Sequence, residues 1–280
     1  MISNVYINGV EITSSNVRIS SVRDSINAGI DVSDYKRGGR AGVALSTPFY
    51  RNFVINMEFW IFATSPSDDL TTLRDNFVGY LRLVTDKDVE QKKTFGFKMS
   101  NGVTKEVPAI ISDVRSDITQ ANLSHSVVSV TIRTELEYFT SSMGTNKTIS
   151  VYEGGGMPVP MPVPMSMASP IGGPALILNN GGNAEYFPTI KVNGPFTGFV
   201  LKNNTTGKQI DYDGTLTGSQ YLTLDMYNRV ALVNGTSNAL ADISGDWWWL
   251  QPGNNEILLI TSSGSGNAEF QDYKDAYRGL

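Results

Sequence analysis

The stretch FVINMEFWIF, residues 53–62, alternates apolar and polar positions. In an extended chain Phe53, Ile55, Met57, Phe59 and Ile61 share one face, and Asn56, Glu58, Trp60 and Phe62 share the other. This predicts a half-buried strand with two aromatics on its polar face. Downstream, SPSDDLTTLRDNFVGYLRLV, residues 65–84, changes period. Leu70, Leu73, Phe77 and Leu81 recur at helical spacing behind Ser and Asp residues able to cap, which predicts one amphipathic helix packed on a sheet. TFGFKMSNGVTKEVPAII, residues 94–111, reads as two strands around Ser100-Asn101-Gly102, where a tight turn needs positive φ. SVVSVTIRTELEYF, residues 126–139, places Val128, Val130, Ile132, Leu136 and Tyr138 on one strand face.

From about residue 176 the pattern is strands alone. FPTIKV, FTGFVLK, KQIDY, YLTLDM, RVALV, WWWL, NEILLIT and AEFQDYKDAY are separated by NG, NNTTG, DGTLTGS, NGTSN and PGNN. Short strands at this spacing with this turn chemistry predict an antiparallel β-sandwich. Within GDWWWLQPGNNEI, residues 245–257, Gln251-Pro252-Gly253-Asn254 suits a type II turn. Trp247 and Trp249 then share one face of the entering strand, and Trp248 takes the other with Leu250. Counted by apolar bulk, the pair Trp247 and Trp249 is expected inside and Trp248 exposed.

Between the two regions, EGGGMPVPMPVPMSMASPIGGPA, residues 153–175, alternates proline with Met and Val between glycines. Proline fixes φ and drives its predecessor to extended geometry, so this reads as a polyproline-like, semi-rigid linker. Its apolar residues leave two readings open, a solvated spacer or a segment with one face in a groove. The expected organisation is an N-terminal α+β domain over 1–152, the linker over 153–175, and a C-terminal antiparallel β-sandwich over 176–280. The fold class is mainly β.

Composition narrows the function. Residues 1–150 carry 16 Lys+Arg and 16 Asp+Glu, whereas residues 151–280 carry 6 and 11. Neither part has the basic surplus of a nucleic-acid binder. There is no cysteine, which excludes disulfides and thiol chemistry and fits synthesis in a reducing compartment. No apolar run is long enough to span a membrane, and the first residues lack the pattern of a secretory leader. No nucleotide-binding glycine motif occurs. The sole histidine, His125, cannot build a His-rich metal site and reads as an exposed residue at a strand entry. DYDG, residues 211–214, is a fragment of a calcium loop without its other ligands and reads as a turn. Catalytic, cofactor-binding and metal-binding residues are therefore expected to be none. Lys36, Arg37 and Arg40 make a small basic, Gly-rich loop, which leaves open an anion site, a mobile solvated loop or a subunit contact; Arg37 and Arg40, with Trp60 and Phe62, are the candidate oligomer or partner contacts.

Ordered stretches of the C-terminal part resemble the siphophage distal tail proteins. They are Asn179-Asn180-Gly181, PTIKVNG (188–194), LKNNTTG (201–207), GSQYLTLD (218–225), RVAL (229–232) and LQPGNNEI (250–257), closed by the aromatic EFQDYKDAYRGL. KRGGRAGVAL and the helix after FVINMEFWIFATSPSDD fit the family's N-terminal ring domain in pattern. The resemblance implies a structural, non-enzymatic virion tail component made in the host cytoplasm. It implies a homo-hexameric ring built by the N-terminal domain. The partners it implies are a tail tube protein and a tail-tip hub protein, with receptor-binding protein or side fibres as further ones. A rival reading is a carbohydrate-binding module that stacks a sugar on an exposed Trp248. A glycosidase using Asp211, Asp213 and Asp225 is a third, which spacing alone cannot place across a cleft.

Overall fold

The computed structural model describes residues 2–24, 30–31, 34–36, 43–45, 49–50, 53–65, 67–84, 92–117, 125–151, 175–261 and 263–280. These divide into two compact units. One comprises Met1–Ser142 with Tyr277–Leu280, the other Met143–Ala276.

The first unit holds β1 (Ile2–Ile7), β2 (Val10–Glu11), β3 (Val17–Asp24), short pieces β4 (Ile30–Asp31), β5 (Asp34–Lys36), β6 (Val43–Leu45) and β7 (Phe49–Tyr50), then β8 (Val54–Phe62), α1 (Leu70–Val84), β9 (Lys93–Met99), β10 (Thr104–Asp117), β11 (His125–Thr134) and β12 (Phe139–Ser141). Its main sheet runs β2-β1-β9-β10-β11-β8-β3, with antiparallel pairing throughout. The alternation of residues 53–62 holds: Phe53, Ile55, Met57, Phe59 and Ile61 are buried. The helix lays Phe77, Val78 and Leu81 on this core face, with the Phe59 and Phe77 rings 5.3 Å apart.

Its start is set by Asp69, whose carboxylate accepts from the backbone N–H of Thr72 (3.0 Å) and Thr71 (3.3 Å). The Thr72 hydroxyl, then these backbone donors, hold the Asp69 carboxyl below the usual range. Asp68 closes the preceding loop through Thr64 and Ser65 N–H.

Two local expectations are refined. The β9–β10 hairpin turns through three residues, with Gly102 at φ +86 and its N–H bonded to Met99 O, where a bulge-type turn requires glycine. The strand expected over 126–139 ends at Thr134. That buried hydroxyl donates to Leu136 O (2.8 Å), and the Phe53 N–H bonds to it (2.9 Å). The chain bends there before β12.

The second unit holds β13 (Thr145–Ser150), β14 (Leu176–Asn180), β15 (Thr189–Asn193), β16 (Phe196–Asn203), β17 (Lys208–Leu216), β18 (Tyr221–Asp225), β19 (Val230–Val233), β20 (Ser237–Asn238), β21 (Ile243–Gly245), β22 (Gly253–Ile260) and β23 (Asn267–Tyr273). They form two antiparallel sheets, β13-β23-β15-β18-β19-β20 and β14-β22-β16-β17-β21. Inward residues of both interleave, as the Trp248 and Phe270 rings show at 6.4 Å. DYDG lies inside β17 rather than in a turn, because Tyr212 and Asp211 pair with Phe199 and Val200.

β13 precedes the proline-rich stretch, and the sequence reading places it N-terminal to the linker. It pairs with β23 and buries Ile149 in the second unit. With one apolar residue in TNKTIS, its allegiance has little hydrophobic signal. The proposed linker lies outside the described residues except for Ala175.

In the second unit two tyrosine rings meet edge to face at 5.7 Å. Burial, then the Asp275 charge, pushes the Tyr273 hydroxyl up to about 12, and burial, then the Asp272 charge, raises Tyr186 further. A raised folded pKa contributes stability that is complete below the unfolded value of about 10 and is lost as pH rises through the folded value. The denaturation midpoint should therefore fall steeply between about pH 10 and 12. Among the described residues the Tyr273 hydroxyl has no hydrogen-bond partner. Tyr273→Phe should thus be near neutral at pH 7 and flatten the alkaline fall. A pH profile unchanged by that variant would contradict this account.

Candidate interaction surfaces

On the first unit, the face of the sheet opposite α1 carries an exposed aromatic cluster. Register places Trp60 between Arg18 on β3 and Val127 on β11, and Phe62 beside His125. Trp60 is 41% exposed. Its ring lies 5.0 Å from the imidazole of His125 and 6.1 Å from Phe62, and the Arg18 guanidinium sits 5.6 Å over the Phe62 ring. His125 thus opens a strand as expected, but its ring packs at a tilt against both Trp60 and Phe62 as a member of the cluster. The cluster offers a planar cation, an imidazole and two rings together, a composition typical of protein contact centres. Arg37 and Arg40 lie outside the described residues.

On the second unit, the expectation for the tryptophans is reversed. Trp248 is 0% exposed and donates Nε1–H to Leu201 O at 3.3 Å. Trp247 and Trp249 are half-buried. Leu250 shares Trp248's face and is also fully buried, fixed by paired backbone bonds to Tyr186 (3.0 and 2.8 Å), so this face carries more apolar bulk than its single indole suggests. A buried indole N–H also needs an acceptor, which the core supplies to Trp248. Trp249 instead lies under the Lys208 ammonium (3.8 Å) and beside Phe187 (6.0 Å), which meets Tyr227 (5.5 Å). With Trp248 internal, the sugar platform imagined there does not exist.

Three buried asparagines, unassigned from the sequence, hold this segment. Asn203 donates to Trp249 O (2.9 Å) and accepts from Thr205 and Thr206 N–H. Asn255 donates to Gln251 O (2.8 Å) and accepts from Gln251 N–H (2.9 Å), beside Gly253 at φ +89. Asn180 donates to Ala184 O and accepts from Gly182 and Ala276 N–H. Each belongs to one of the stretches quoted for the family resemblance: NNG, LKNNTTG and LQPGNNEI.

Among the described residues no group of three or more His, Asp or Glu could hold a metal ion. Asp211 and Asp213 lie on β17, whereas Asp225 lies in the other sheet and caps a turn through Tyr227 and Asn228 N–H.

Residues 181–277 match the family model of the siphovirus-type tail component, C-terminal domain. No curated protein matches. Among solved structures, the phage SPP1 Dit (gp 19.1) protein, described as a paradigm of the hub adsorption apparatus in phages infecting Gram-positive bacteria, is 13% identical. It covers 99% of this chain and 99% of its own, with a TM-score of 0.63. Chains of the phage P2 baseplate in its activated conformation give 13% identity with Ca and 12% with Sr. Each covers 98% of this chain and 100% of its own, at TM-scores of 0.39 and 0.40. Residues 181–277 thus carry the C-terminal domain of the siphovirus-type tail component, and the chain shares the SPP1 Dit fold along its whole length.

Proposed function

We propose that the chain is a non-enzymatic, structural ring component of a phage virion, made in the host cytoplasm. Six copies close head to tail through the first unit and join a tail tube protein to a tail-tip hub, leaving the second units to meet receptor-binding protein or side fibres. The observation that carries this reading is the whole-chain likeness to SPP1 Dit, described as a hub paradigm, together with the family match of the second unit. The Trp60 cluster is consistent with it, since a closed ring repeats one heterologous contact, and durable contacts bury upward of about 1,000 Å² around aromatic and Arg anchors.

Mass measurement should find hexamers, and electron microscopy six-fold rings. Trp60→Ala removes an exposed ring, so thermal stability should hardly change, while the contact should weaken by about 2 kcal/mol or more. A wild-type chain that stays monomeric at about 10 µM, tenfold above a micromolar contact, even with tail tube protein added, would sink the ring. A Trp60→Ala chain assembling as wild type would remove this patch from the contact.

A further inference from the structure

The outer face of the five-stranded sheet in the second unit carries a groove of about 800 Å³, floored by Val200 and Ile260 and flanked by Gln209, Asp211 and Asp213. Register explains it. Ile260 pairs with Val200, and Val200 with Asp211, and strand alternation points all three away from the core that Leu201, Leu259 and Ile210 fill. Gln209 Nε2 donates to both oxygens of Asp211 (2.9 and 3.2 Å), which fixes that carboxylate at the groove wall. Among the described residues neither aspartate forms an ion pair with a Lys or Arg. The whole unit is acidic, with 6 Lys+Arg against 11 Asp+Glu over residues 143–276. The two aromatics at the groove, Phe199 and Tyr212, are 3% exposed and turned into the core, so no ring is available for a sugar to stack on.

We propose that this groove docks an extended, cationic segment of a partner protein, with aliphatic side chains on Val200 and Ile260 and Lys or Arg groups paired to Asp211 and Asp213. An aliphatic floor with unpaired carboxylates along one wall complements that chemistry and repels an acidic segment. The assignment goes beyond the ring and does not depend on it.

The test uses the full chain and two fluorescein-labelled octapeptides, one of four valines and four lysines, the other with glutamate in place of lysine. The lysine peptide should bind by fluorescence anisotropy and the glutamate peptide should not. The double variant Asp211→Asn, Asp213→Asn should weaken binding by about tenfold or more, as loss of close charge pairs does. Glu185→Gln with Glu269→Gln, an equal charge change elsewhere on the unit, should leave it unchanged. Absence of lysine-peptide binding, or equal weakening by both double variants, overturns the proposal. So does displacement of the peptide by neutral oligosaccharides, which would make the groove a sugar site. If circular dichroism shows the groove variant unfolded, Asp213→Asn alone, at an exposed position, carries the same expectation with a smaller loss.

Discussion

Trp248→Ala should be the most destabilising of the three tryptophan truncations, costing about 3–5 kcal/mol. The side chain is 0% exposed, packs against Phe270 of the opposite sheet and satisfies its N–H on Leu201 O. Truncation removes that apolar area, opens a cavity between the sheets and leaves a carbonyl short of one donor. Trp249→Ala forfeits a half-exposed ring and the Lys208 contact, a loss of about 1 kcal/mol. Its indole N–H is buried without a partner among the described residues, so removing it also relieves a desolvation cost. Trp247→Ala should be comparably mild. The measurement is denaturant unfolding of the full chain followed by tryptophan emission, since three of the four tryptophans lie in the second unit. Separate transitions for the two units are to be fitted separately. A Trp249→Ala or Trp247→Ala loss exceeding that of Trp248→Ala would refute the burial assignment.

Long periodic elements were legible in the sequence. Phe53, Ile55, Met57, Phe59 and Ile61 recur at every second position, and the helical spacing from Leu70 to Leu81 overrides a chain otherwise rich in strands. Both signals come from one face meeting a core. The sandwich followed from turn chemistry, in which Asn, Gly and Asp punctuate short apolar runs. Three things were not legible. β13 has one buried apolar residue, so its pairing with β23 is decided by backbone bonding that side chains do not announce. The facing of the Trp run depended on Leu250 and on where an indole N–H finds an acceptor, which the alternation rule leaves undetermined. DYDG looked like a turn because Asp and Gly favour turns, yet Gly214 sits within β17 where Tyr212 packs over it and an added Cβ would lie 2.4 Å from the tyrosine oxygen.

The first unit's cluster was half legible. Alternation put Trp60 and Phe62 on the open face, while Arg18 and His125 reach them only through the order β11-β8-β3. The buried asparagines had a signal that went unread. They recur in stretches carrying the family resemblance, each in an Asn-Asn pair, and asparagine in a strand-rich chain suits side chain–backbone clips as well as turns.

Asn180→Ala should cost about 3 kcal/mol, because it strands two backbone donors, Gly182 and Ala276 N–H, and the acceptor Ala184 O. Alanine also leaves a small void at a position that is 1% exposed. The loss should appear in the second unit's transition and should not recover with pH. Asn180→Asp separates donor from acceptor. Its carboxylate can still accept from both N–H groups, yet it must face Ala184 O, the 2.7 Å partner of the native amide, with no proton to offer. The protonated acid restores that donor. The two N–H donors favour the carboxylate, but the neutral acid's carbonyl oxygen accepts from them as the native amide oxygen does, so burial and the carbonyl of Ala184 decide the sign and raise the folded pKa above the unfolded aspartate value of about 3.9. With a raised folded pKa, the acid's contribution is complete below about pH 4 and is lost as pH rises through the folded value. Relative to Asn180→Ala at each pH, Asn180→Asp should gain stability on acidification from pH 7 to 4. If the two variants keep a constant difference across that range, the amide of Asn180 is not the donor that holds Ala184 O.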